Sequence, residues 1–164
     1  MTMDVPETDH HIVISADSHC GADLRDYKPY LEKKYHSDFE EWATASEEAA
    51  KKQEALFSGK GRSTRNVGID GDPELDADKN FSSDRRLQEQ QDDGVIGFVL
   101  FPNTQPPFAP QAATQFEAPP YSDNFEHRWA GLRAHNRWLK DFVDEAPAQR
   151  AGIAQIFLGD VAGS

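Results

Sequence analysis

Two residues with metal-binding side chains stand two apart at the end of a short apolar run. The run Ile12-Val13-Ile14-Ser15-Ala16 is β-branched and compact, which predicts a buried strand, and it passes directly into Asp17-Ser18-His19. Residues two apart on an extended chain share a face, so Asp17 and His19 leave the C-terminal end of this strand side by side. A carboxylate beside an imidazole is a suitable ligand pair for Zn2+, Mn2+ or Fe2+. The triplet itself is common. Its position gives it weight, because parallel sheets build their βα-loop sites where apolar strands end.

The rival candidates are weaker. His10 and His11 precede the strand and fall at its opposite end, where a solvated pair is expected. Cys20 follows the ligand pair without a Cys-His-Asn pattern around it, so it reads as a small packed thiol able to line a pocket. His135 and Asn136 lie within a helix, and Asn136 falls on its apolar stripe, which predicts a buried, hydrogen-bonded structural side chain. Asn103 and Thr104 follow the second strand, either as substrate contacts or as residues bonding a turn. The run from Asp70 to Asp76 alternates like a calcium loop, but Leu75 stands where that loop needs Gly and Phe81 where it needs Glu. Gly59-Lys60-Gly61 lacks phosphate-loop spacing.

The elements that position these residues follow from periodicity. Tyr27 to Phe57 is charged and Ala-rich with Tyr30, Leu31, Tyr35, Phe39 and Trp42 at helical spacing, and residues 58 to 83 read as a long loop. A short helix is expected over Asp84 to Asp93, with Ser82 or Ser83 as N-cap and Gly94 as stop, followed by a strand from Val95 to Phe101. A proline-rich loop runs from Pro102 to Tyr121. Asp123 and Glu126 then open a helix whose stripe is Phe125, Trp129, Leu132, Leu139, Val143 and Ala146, stopped by Pro147. Ile153 to Leu158 reads as a third strand. Strands alternating with helices predict an α/β fold with a parallel sheet and right-handed crossovers. Trp42, Phe108, Phe116 and Tyr121 are expected to pack the insertions down, rather than line an aromatic pocket.

Seventeen basic against twenty-nine acidic residues give a net charge of −12, which disfavours nucleic acid and anionic membranes as partners. Nine of the acidic residues, against three basic ones, lie between Asp70 and Asp93 and read as a solvated stretch. One cysteine permits no internal disulfide, and the first fifteen residues contain no signal peptide or membrane span. A soluble, cytoplasmic protein is expected.

Three segments, in order, resemble the amidohydrolase-related family of metal-dependent enzymes. Ile14 to Cys20 is similar to its opening strand, in which a His, Glu or Asp, then any residue, then His supplies two metal ligands. Arg85 to Val95, running into Val99-Leu100-Phe101-Pro102, is similar to its second helix and strand, and Ala134 to Ala154 to its third. The resemblance implies that residues 1–164 form about three βα units of a (β/α)8 TIM barrel, a single partial domain with an insertion at about 27–83. It implies one divalent metal, with zinc the first expectation, held here by Asp17 and His19. Family members take further His and Asp groups from later strands, so a chain ending after the third strand is expected to be inactive alone.

The function implied is hydrolysis of a C–N or C–O bond in a small organic substrate. Non-oxidative decarboxylation of an aromatic or unsaturated acid is the family's alternative. A reading outside the family is a non-catalytic α/β interaction module, whose open sheet edges would call for a partner or a homo-oligomer.

Overall fold

The computed structural model describes residues 11–57, 82–102, 106–109, 125–156 and 161–162, without the side chains of 53–57. Residues 58–81 of the loop expected at 58–83, with the Asp70 run and Gly59 to Gly61 in it, and His10, Phe116, Tyr121 and the Asp123 cap lie outside these residues. The chain is mixed α/β. Strand β1 (Val13–Cys20) leads into a 3-10 helix, Leu24–Tyr30, a 3-10 turn, Lys33–Tyr35, and helix α1 (His36–Phe57). Helix α2 (Ser83–Asp92), strand β2 (Val95–Pro102), helix α3 (Phe125–Asp144) and strand β3 (Arg150–Gly152) follow. The strands form one parallel sheet in the order β1-β2-β3.

Strand β1 runs four residues beyond the expected stop at Ala16. The reason is a partner: Ser18, His19 and Cys20 continue the ladder opposite Leu100, Phe101 and Pro102. Between Ser15↔Phe98 and Ser18↔Leu100, β1 spends one residue more than β2, a bulge that contains Asp17. The two serines on either side of it bond Oγ to Oγ at 2.7 Å.

The expected helical stretch after Tyr27 begins as 3-10 structure, with Pro29 inside the first segment, where an α-helix would lose a backbone donor. Helix α2 ends as expected at Gly94, whose φ of +69° costs a residue without Cβ little. Ser82 takes the N-cap position without a side-chain hydrogen bond, so its hydroxyl does not cap the helix.

The third strand is displaced from its expected place. Arg150, Ala151 and Gly152 pair with Phe98, Val99 and Leu100, whereas Ile153 to Ile156 lie beyond the assigned strand. Ile153 still donates its N–H to Leu100 O at 2.9 Å. The apolar signal came from Ile153 and Ile156, both exposed, while the residue that enters the interior is a charged one, Arg150.

One face of the sheet is covered. Cys20, Leu100 and Phe98 meet Tyr27, Trp138, Leu139 and Phe142 in a first core. Leu31, Tyr35, Phe39 and Ala43 meet Ala130 and Ala134 in a second. Fully burying one such large side chain stabilises by about 1.5–3 kcal/mol. The buried stripe of α3 is wider than expected, with Ala130, Gly131, Ala134, His135, Trp138 and Phe142 added, and Phe125 and Val143 only half-buried.

Gly131 lets the Pro106–Ala109 turn approach α3 closely: a Cβ there would lie 1.9 Å from Pro107 O. Pro107 and then Phe108 at φ +63° give that turn the pattern of type II, with a phenylalanine where glycine is usual. The Phe108 ring packs against Tyr35, Phe39, Trp42 and His127, and Trp42 Nε1 donates to Ala109 O at 3.1 Å. Trp42 and Phe108 thus pack the insertion down, as expected.

Among the described residues, nothing covers the other sheet face. By register it carries Ile14 beside Gly97, His19 beside Phe101, and Ile153 at its edge, with Ile14 59% exposed. Among the described residues, no helix is long and apolar enough to cross a membrane.

Candidate functional site

Asp17 and His19 lie on this open face toward the C-terminal end of β1. Asp17 Oδ1 is 3.7 Å from His19 Nε2, and their side chains are 87% and 50% exposed. The expected juxtaposition is present, although the bulge, and not a strand end, presents Asp17. The His19 ring stands edge-on to Phe101, with ring centres 6.4 Å apart.

The backbone behind the pair is fixed from several directions. Arg86 Nη2 on α2 donates to His19 O at 2.6 Å, and its guanidinium lies over the Phe98 ring. Cys20, the next residue, is fully buried. Burial pushes its thiol up to about 11, against the opposing pull of Arg86 and Arg150. A thiol so held stays protonated at neutral pH, which agrees with a packed residue and not a nucleophile.

The donor set fits part of a metal site. Bonds of about 2.0–2.1 Å at a tetrahedral angle set two donor atoms about 3.4 Å apart, so a movement of about 0.3 Å would bring Asp17 and His19 onto one ion. Catalytic zinc takes about three protein ligands and a water. Among the described residues, no group of three His, Cys, Asp or Glu side chains converges.

Asn103 and Thr104 lie outside the described residues. His11 is exposed and precedes β1, as expected of a solvated residue. Asn136 is a structural residue, half-buried and not fully so: its Nδ2 donates to Gln155 O at 2.8 Å and its Oδ1 accepts from Gln155 N at 2.9 Å. It grips the chain after β3 as a neighbouring strand would.

Three residues escaped the sequence reading. Tyr27 is fully buried, accepts the Ala22 N–H at 3.1 Å and lies 2.8 Å from His135 Nδ1. Arg150 is buried on the Phe142 ring, and donates to Phe142 O and to both oxygens of Ser83, tying α2 to α3. His127 pairs with Asp38 at 2.7 Å on the surface between α3 and α1. No periodicity announces the pairs Tyr27–His135, Asp38–His127 and Ser83–Arg150, whose members are 67 to 108 residues apart in the chain. Compared with known proteins, the chain matches no family model, no curated protein and no solved structure.

Proposed function

We propose that Asp17 and His19 are two ligands of a divalent metal in a hydrolase of the amidohydrolase type, with its sheet a portion of a (β/α)8 barrel. The observation that carries this reading is the pair itself: an oxygen and a nitrogen donor 3.7 Å apart on the uncovered face of a parallel strand, toward its C-terminal end. Zinc suits this donor chemistry, with manganese and iron as alternatives, and the remaining donors come from outside the described residues. A bound metal of this kind supplies a nucleophilic hydroxide or polarises a carbonyl at neutral pH. The chain's own contribution is to hold the two donors: the ladder to β2, the Arg86 bond to His19 O and the buried Cys20 fix the backbone on which they stand. The substrate class is a small organic molecule, with Asn103 and Thr104 as its candidate contacts.

Equilibrium dialysis against Zn2+ tests the reading. One saturable ion per chain is expected, weakened at least tenfold by Asp17→Asn and by His19→Ala but not by His11→Ala. Binding indifferent to Asp17 and His19 would refute it. With a turning-over substrate, incorporation of oxygen from labelled water marks hydrolysis, and release of carbon dioxide marks the alternative decarboxylase.

The exposed isoleucines of the open face, Ile14 and Ile153, with the exposed Ile156 after β3, favour a second reading, a non-catalytic interaction module. Sedimentation discriminates: a concentration-dependent oligomer indifferent to Zn2+ supports the module and opposes the enzyme.

A further inference from the structure

His135 is fully buried on the core side of α3, and its two ring nitrogens differ in their surroundings. Nδ1 shares a hydrogen bond with the Tyr27 hydroxyl, which also accepts the Ala22 N–H. Nε2 is buried and, among the described residues, has no hydrogen-bond partner. These contacts join α3 to the segment just after β1, three residues beyond His19. A neutral imidazole tolerates this setting. A charged one must keep N–H on both nitrogens, leaving one donor and a full positive charge buried without an acceptor or a counter-ion.

The titratable neighbours offer no compensation. Tyr27 faces His135 from the 3-10 helix, and Cys20 from β1 shares the adjoining core, both uncharged at neutral pH. From α3 itself the neighbour is the Trp138 ring, and Leu100 and Phe98 of β2 are apolar. No described carboxylate or cation perturbs the ring.

We propose that Tyr27 and His135 form an acid-sensitive latch, which holds the segment after β1 on α3 while the imidazole is neutral and releases it once the imidazole is charged. Burial, the one cause acting on His135, pushes its pKa down to about 4 in the closed state. The open state regains an ordinary imidazole near 6.5, so it binds more protons between the two values. The opening equilibrium therefore rises about tenfold for each pH unit below roughly 6.5 and levels off near pH 4. The latch does not depend on a metal at Asp17 and His19.

Native-state hydrogen exchange, corrected for intrinsic rates, tests it on the full chain. The Ala22 amide, bonded to Tyr27, should lose its protection on acidification, with an opening constant about sixtyfold higher at pH 4.5 than at pH 7. The Phe98 amide, bonded to Gln149 O, should remain protected. In His135→Gln the Ala22 opening constant should be flat with pH. Equal opening constants at Ala22 and Phe98 at every pH, or a pH response retained in His135→Gln, would overturn the proposal. The His135 ring resonances give a check that needs no variant. They should stay those of a neutral imidazole down to about pH 4 in the closed protein, and titration near pH 6.5 with Ala22 still protected would overturn it as well.

Discussion

Gly131→Ala sets two effects of opposite sign against each other. Replacing a mid-helix glycine by alanine favours the helix by about 1 kcal/mol. In α3, however, the new Cβ would stand 1.9 Å from Pro107 O and 2.8 Å from Pro107 C. The obstacle is backbone, so no rotamer change removes it, and either α3 or the Pro106–Ala109 turn must retreat. Moving the turn loosens the Phe108 ring from its neighbours, at about 0.5–1.5 kcal/mol for each aromatic pair lost, and strains the Trp42 bond to Ala109 O, about 1 kcal/mol. These losses exceed the helix gain, and a net destabilisation of about 2–3 kcal/mol follows, or a fall in melting temperature of roughly 5–10 °C. Urea unfolding followed by tryptophan fluorescence, with thermal circular dichroism beside it, measures both. Gly152→Ala is the comparison: the atoms nearest its Cβ belong to the Leu139 side chain, at 2.9–3.1 Å, and a side chain yields more readily than backbone. A Gly131→Ala protein more stable than the parent, or less affected than Gly152→Ala, would refute this account of the helix-turn contact.

Asn136→Ala removes both bonds to the Gln155 backbone, and should cost about 1–2 kcal/mol in chemical denaturation and speed exchange at the Gln155 amide. Arg150→Lys cannot reach Phe142 O and Ser83 together, so a loss of about 2–3 kcal/mol is expected from the same titration, with α2 loosened most by hydrogen exchange. Cys20 sets the alkaline limit. Its folded pKa of about 11 lies above the unfolded thiol's 9, so the unfolded chain gives up its proton first and this contribution to stability falls as pH rises from 9 to 11. Cys20→Ser or Cys20→Ala should flatten that limb, and native Cys20 should react with a thiol reagent at pH 8 far more slowly than in urea.

Local signals made part of this structure legible and hid the rest. The β-branched run before Asp17, the glycine after α2 and the amphipathic stripe of α3 each state a short-range preference that packing then reinforces. β1 overran its expected end because a ladder to β2 supplied partners that its polar residues do not advertise. β3 was misplaced for the converse reason: Ile153 and Ile156 look like a strand but face outward, while Arg150 is buried by stacking on Phe142 and bonding Ser83, contacts set by tertiary structure. The juxtaposition of Asp17 and His19 was visible because spacing by two needs only an extended chain. The Tyr27–His135 bond was not, because it joins residues 108 apart.

The central claim is that Asp17 and His19 share one divalent ion, and the ring nitrogens of the histidines report on it directly. With Zn2+ titrated at neutral pH into the nitrogen-labelled chain, His19 Nε2 should take the shift of a metal-bound nitrogen before His11, His36 or His127 responds, and Asp17→Asn should abolish that priority. A His19 ring that stays unshifted, or that shifts only together with those histidines, would contradict the claim.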